Sequence, residues 1–256
     1  MGTFDLKQFA SAEQLAKAAA EDWLQEIRQT GSTNGIFCVA LSGGRIAKAF
    51  CSAIVTQLRT EQMVRTQHPQ DLGSWTPLSP VHFFWSDERC VPPTDPESNF
   101  RLAKELLFAP LKISDSQIHR ILGEKPPAEA LAVAETQLRQ KASLHRGDQP
   151  VLDLVLLGMG EDGHVASLFP GESEELVANR AVFRCVTAVK PPPFRITMGY
   201  ATIAAARQAW VLASGTAKLE ALRASLDPKG NTPLARVLRM RQSTKIYSDI
   251  HTDTGA

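Results

Sequence analysis

The chain has 256 residues, 43% hydrophobic and 21% charged, which is enough to bury a core without staples and is the balance of a globular rather than a disordered or membrane-embedded protein. Lys and Arg total 28 against 27 Asp and Glu, so the formal net charge of +1 gives no global pull toward nucleic acid or an anionic membrane, and an anionic ligand has to be held locally. The four cysteines, Cys38, Cys51, Cys90 and Cys185, form no C-x-x-C pair, which argues against a zinc site or disulfide framework and for reduced thiols.

The opening residues, Met1 to Lys7, lack the cationic start and apolar run of a signal peptide, and no apolar stretch approaches the ~20 residues that span a bilayer; a cytoplasmic location and a single domain are the expectations. Ser11-Ala12-Glu13-Gln14 has the form of a capping box, and Leu15, Ala18, Ala19, Trp23 and Ile27 recur at helical spacing, predicting a first helix to about Arg28. Ile36 to Leu41 reads as a buried strand that turns at Ser42-Gly43-Gly44 into a helix carrying Ala47 through Leu58. Glu61 to Pro80 reads as a surface excursion, followed by a strand at Val81 to Trp85. A proline-rich, acidic loop from Ser86 to Ser98 leads to a helix from about Asn99 to Leu107, and a further helix covers Ala128 to Leu144.

Val151 to Leu157 is the clearest strand, continuous in apolar character apart from Asp153, and it stops at Gly158-Met159-Gly160. Beyond it the pattern predicts strands at Val182 to Val189, Gln208 to Ala213 and Lys245 to Ile250, a loop at Pro191-Pro192-Pro193, and a helix from Ala217 to Leu226. Strands alternating with helices imply an α/β fold with a mostly parallel sheet covered on both faces, whose ligands bind at the carboxyl ends of the strands. Ser42-Gly43-Gly44, Ser86 to Arg89 and Gly158 to His164 then share one rim.

Three segments on that rim could carry chemistry. In Ser42-Gly43-Gly44-Arg45 the glycines let backbone N–H groups approach an anion at a helix start; the alternative is a plain tight turn, since neither a Walker A loop nor G-x-G-x-x-G is present. In Asp87-Glu88-Arg89, Arg89 could hold a phosphate or carboxylate, or the triplet could form an internal ion pair with Ser98 or Asn99 capping a helix. Gly158 to His164 brings Asp162 and His164 together in a glycine-constrained loop, as a general base with its orienting carboxylate or as a histidine that caps a helix. His68, His82, His119, His145 and His251 lie in no comparable setting and read as solvated or packed. Lys190 and Arg195 flank the triproline as substrate cations or as ordinary surface charges. With no G-x-S-x-G elbow for a serine nucleophile, direct attack by water is the simpler acyl chemistry.

Taken together, Phe84 to Pro92 with Ser98-Asn99, the run DLVLLGMGEDGHVASLFP from Asp153 to Pro170, and Lys190 to Thr197 resemble the 6-phosphogluconolactonase family, in matching order over nearly the whole chain. The resemblance implies a three-layer, Rossmann-like fold of the sugar-phosphate isomerase/deaminase type. It also implies hydrolysis of 6-phospho-D-glucono-1,5-lactone in the oxidative pentose phosphate pathway, with no metal, no cofactor, no nucleic-acid or membrane partner, and a monomer or weak homodimer. His164, Asp162 and Arg89 would be catalytic, with Ser42, Gly43, Gly44, Arg45, Asp87, Ser98, Asn99, Gly163, Lys190 and Arg195 binding substrate and phosphate, and Arg89 or Lys190 facing the oxyanion. Where the family usually has Ser-Gly-Gly-Ser-Thr-Pro, this chain has Ser42-Gly43-Gly44-Arg45-Ile46-Ala47, so a guanidinium stands in place of two hydroxyls. The related glucosamine-6-phosphate deaminases share the glycine loop ending in Asp-Gly-His but continue toward Asn-Glu-Pro, unlike Val165 to Pro170 here. A deaminase/isomerase and a non-catalytic sugar-phosphate sensor are the alternatives.

Overall fold

The computed structural model describes residues 2–31, 35–66, 77–142 and 144–252. The first half runs β1 (Thr3–Gln8), α1 (Ala12–Gly31), β2 (Phe37–Leu41), α2 (Arg45–Thr66), β3 (Val81–Trp85), β4 (Asp87–Arg89) and α3 (Asn99–Ala103), then a π turn (Lys104–Phe108), α4 (Ala109–Leu111) and α5 (Pro127–Lys141). The second half runs β5 (His145–Arg146), β6 (Gln149–Pro150), β7 (Leu154–Gly158), α6 (Glu174–Ala178), β8 (Phe183–Thr187), β9 (Phe194–Met198), α7 (Tyr200–Ala205) and β10 (Gln208–Ala213). A 3-10 turn (Thr216–Lys218), α8 (Leu219–Leu226), α9 (Pro233–Met240) and β11 (Ser243–Ser248) complete it.

Six strands form a sheet in the order β1-β11-β10-β7-β2-β3, and every pairing within it is parallel. By the right-handed rule for parallel crossovers, the helices that carry the chain toward β3, α1 and α2, belong on one face of the sheet, and those that carry it back toward β11, α7 to α9, on the other. The α1–α2 and α8–α9 packings agree with this. Trp23 of α1 is fully buried, with ring centroids 5.9 Å from Phe50 of α2 and 6.4 Å from Phe83 of β3, so one aromatic joins two helices to the sheet. β2 and β7 are solid apolar runs because both of their faces are covered.

Several expectations need correction. The first two helices are longer than predicted, α1 reaching Gly31 and α2 occupying residues 45–66, so the early part of the supposed excursion is helix; His68 and residues 67–76 lie outside the described residues. β1 went unread because it is a half-exposed edge strand of mixed polarity, held by β11. The Ser86 to Ser98 loop contains β4, and the segment after the triproline is β9; with β8 they form a separate antiparallel sheet in the order β4-β9-β8. α9 was missed outright, although Thr232 caps it and Pro233 opens it. Asp153 sits just before β7 rather than inside it, accepting the Cys38 N–H at 2.8 Å and pairing with Arg207 at 3.3 Å.

Candidate active site

From β2 the chain moves outward to β3, whereas from β7 it moves the opposite way to β10, so the direction of winding reverses between β2 and β7. Loops that leave the carboxyl ends of strands at such a point diverge and open a crevice. Here they open a cleft of about 380 Å³ lined by Ser42 to Arg45 after β2, Asp87 and Arg89, Asn99, His164, Arg195, and Ser214, Gly215 and Lys218 after β10. Two glycines are dictated by close approach. A Cβ on Gly43 would stand 1.9 Å from Asn99 Oδ1, and one on Gly160 would stand 2.1 Å from the His164 ring.

His164 Nδ1 lies 2.5 Å from Asp162 Oδ1, which also accepts the His164 backbone N–H at 3.1 Å. Burial alone would raise the Asp162 carboxyl; the hydrogen bonds from His164 outweigh it and hold the group below the usual carboxylate range. An ionised Asp162 accepts a hydrogen bond from Nδ1–H, leaving Nε2 as the basic nitrogen of the ring. Gly163 contributes from behind, its carbonyl accepting the Leu234 N–H at the start of α9 at 3.1 Å. No helix begins at His164, whose successor Val165 instead bridges to Met159 and Leu168, so the helix-capping alternative does not apply.

Two pairs of cations flank this ring. Arg89 and Arg195 are register partners across β4 and β9, an arrangement of like charges that destabilises a sheet unless an anion comes between them. Burial first, and then Arg89, push the Arg195 guanidinium below its ordinary value, while Arg89 Nε is buried without a hydrogen-bond partner. Arg195 also holds the triproline loop through the Pro192 and Lys190 carbonyls, at 3.2 and 3.3 Å. Toward α2, Arg45 and Lys218 form the second pair: burial first, then Arg45, lowers the Lys218 ammonium, against Glu161 and Asp249, which raise it. Neither Arg45 nor Lys218 is ion-paired among the described residues.

Both acidic residues of the Asp-Glu-Arg triplet accept hydrogen bonds that hold neighbouring segments, and Asp87 also lines the cleft. Glu88, 3% exposed, accepts the N–H groups of Arg89, Asn99 and Phe100 at 2.8 Å and the Ser98 hydroxyl at 3.0 Å, fastening the start of α3; Ser98 in turn caps that helix by accepting the Arg101 N–H. Burial pushes the Glu88 carboxyl up, opposed by those backbone donors. Asp87 accepts from the Ser167 hydroxyl at 2.7 Å and from Asn99 Nδ2, so no internal ion pair of the triplet forms. Hydrogen bonds do the stapling and Arg89 turns to the cleft.

Of the sequence-nominated residues, Ser42, Gly43, Gly44, Arg45, Asp87, Arg89, Asn99, His164 and Arg195 meet at the cleft. Asp162 and Lys190 line an adjoining groove on the other side of His164, and Ser98 and Gly163 lie behind the walls. Sequence reading missed Lys218 and Ser167. The signal for Lys218 was present: a lysine at a helix start, just past the carboxyl end of a strand, obeys the rule that placed the other three loops.

Known proteins resemble this chain over most of its length. The family model for glucosamine-6-phosphate isomerases/6-phosphogluconolactonase matches residues 10–247. The chain is 35% identical over 205 residues to a 6-phosphogluconolactonase of Treponema pallidum, covering 79% of this chain and 78% of that one. It is 31% identical over 224 residues to the Streptomyces coelicolor 6-phosphogluconolactonase, covering 85% and 81%. The solved 6-phosphogluconolactonase of Trypanosoma brucei superposes with a TM-score of 0.77 at 28% identity over 97% of each chain. The chain therefore belongs to the glucosamine-6-phosphate isomerase/6-phosphogluconolactonase family.

Proposed function

We propose that this chain hydrolyses 6-phospho-D-glucono-1,5-lactone to 6-phospho-D-gluconate, the ring-opening step of the oxidative pentose phosphate pathway, with His164 as general base. The observation that carries the reading is the His164–Asp162 pair at the edge of a cleft walled by Arg45, Lys218, Arg89 and Arg195. Such a cleft suits a substrate with a phosphate at one end and a carbonyl that turns anionic at the other. The lactonase names of the relatives at 35% and 31% identity support it.

The phosphate sits at the amino end of α2, where the free backbone N–H groups behind Gly44 meet Arg45 and Lys218. Binding energy gathered there orients the lactone carbonyl beside His164. His164 Nε2 takes a proton as water adds to C1, and Asp162 stabilises the imidazolium that forms. Charge on the carbonyl oxygen is met by Arg89, which lines the cleft beside His164; Lys190 is the weaker candidate, because it lines the adjoining groove. The C1–O bond of the ring then breaks, and His164 returns its proton to the departing ring oxygen. Every group in the scheme comes from one chain, so a monomer or a weak homodimer serves equally.

The test is acid release from freshly generated 6-phosphogluconolactone in the presence of chelator, corrected for spontaneous hydrolysis. Acceleration well above background is expected. Ammonia release from glucosamine 6-phosphate without lactone hydrolysis would replace this reading with the deaminase one, and tight binding of phosphogluconate without turnover would replace it with a sensor.

A further inference from the structure

Lys218 reaches the cleft from a turn that another residue controls. β10 ends at Ala213, and Ser214-Gly215 then swings into the 3-10 turn that contains Lys218. Asp249, the first residue past the neighbouring strand β11, engages both turn residues: the Ser214 hydroxyl donates to Oδ2 at 2.7 Å and the Gly215 N–H to Oδ1 at 2.9 Å. The Lys218 N–H donates in turn to the Gly215 carbonyl at 3.0 Å. One carboxylate, with both oxygens occupied, thus fixes the base from which the Lys218 side chain extends. The same negative charge favours the ammonium form of Lys218, against burial and Arg45, which disfavour it.

We propose that Asp249 is a positioning residue for recognition of the phosphate: by clamping the Ser214–Gly215 turn it sets Lys218 opposite Arg45, where the anion binds. The inference rests on the reading above for the identity of the substrate. Asp249 acts through Lys218 and does not line the cleft, so its effect belongs on binding rather than on the chemical step, and it should vanish once Lys218 is gone.

The experiment is a double-mutant cycle over wild type, Asp249→Ala, Lys218→Ala and the double variant, reading KM for the phosphorylated lactone and, by titration calorimetry, Kd for inorganic phosphate. Asp249→Ala is expected to raise both constants about 10-fold in the Lys218 background and less than about 2-fold in the Lys218→Ala background, with kcat changing less than KM. An equal rise in both backgrounds, or a fall in kcat with KM and Kd unchanged, overturns the proposal. Should Asp249→Ala lose its cooperative melt, Asp249→Asn, which keeps an acceptor for Gly215 and removes the charge, carries the same cycle with the same dependence on Lys218 expected. A wild type that binds phosphate but turns over no lactone defeats the lactonase reading alone, since the phosphate arm still decides Asp249. A wild type that turns over the lactone but binds no phosphate overturns the Asp249 proposal and leaves the lactonase reading standing.

Discussion

His164 is useful because its two ring nitrogens have different neighbours. Nδ1 is committed to Asp162 at 2.5 Å, which fixes the tautomer and leaves Nε2 as the basic site. Asp162→Asn removes the charge and offers an amide N–H2 that can donate to Nδ1 and so favour the other tautomer, and we expect kcat to fall by about 10²-fold or more with KM nearly unchanged, as steady-state kinetics would reveal; an unchanged kcat would strip Asp162 of its role. Arg45 and Lys218, without ion-pair partners among the described residues, line the cleft and are proposed to hold the opposite end of the substrate. Arg45→Ala is expected to raise KM for the phosphorylated lactone about 10-fold and to leave kcat within a factor of about two, while unaltered kinetics would make Arg45 a plain surface residue.

At the scale of elements, the segments that carry the site divide by how their sequence signals local structure. β2, β3 and β7 were legible because strands buried on both faces have no polar period to confuse, and the glycine turns after β2 and β7 mark their ends. β4 and β9 were not, since three residues of Asp-Glu-Arg carry no periodicity and β9 follows directly on three prolines; their pairing is fixed by tertiary contact. That pairing is what sets Arg89 against Arg195, so the cation pair could not be foreseen from either segment alone. Asp162 and His164 were legible as a pair because they are two residues apart in a loop with glycines on either side. Lys218 was passed over because it was read as part of a helix and not as the end of a strand's loop.

Glu88 illustrates what holds these elements together. It accepts four hydrogen bonds at the junction of β4 and α3, so Glu88→Ala strands several buried donors and should cost about 3 kcal/mol in urea unfolding. Because burial raises its folded-state carboxyl above the unfolded value of about 4.3, its contribution to stability is complete below that pH and declines as pH rises through the folded value. Glu88→Gln is therefore expected to flatten the change in urea midpoint between about pH 4 and pH 7, and a steeper change would contradict the assignment.

Across the whole molecule, one contiguous core runs from α1 through the sheet to α9, and the site lies where its winding reverses. β1 closes one edge of the sheet on β11, with Phe9 stacked on Tyr247 at 6.2 Å and Lys7 and the Tyr247 hydroxyl both bound to Asp22. Deleting Thr3–Gln8 should bare the β11 edge, lowering the melting temperature and promoting self-association on sedimentation, whereas an unchanged melt would make that strand dispensable. Among the described residues no helix is long and apolar enough to cross a membrane. Family membership comes from similarity along most of the chain, while the reaction assigned to it depends on one imidazole. The most direct measurement is the rate of acid release from freshly generated 6-phosphogluconolactone by wild type and by His164→Asn, both corrected for spontaneous hydrolysis and both checked for an intact thermal melt. The account predicts a wild type far above background and a His164→Asn variant at least about 10²-fold slower in kcat. A folded His164→Asn protein that hydrolyses the lactone at the wild-type rate would contradict it.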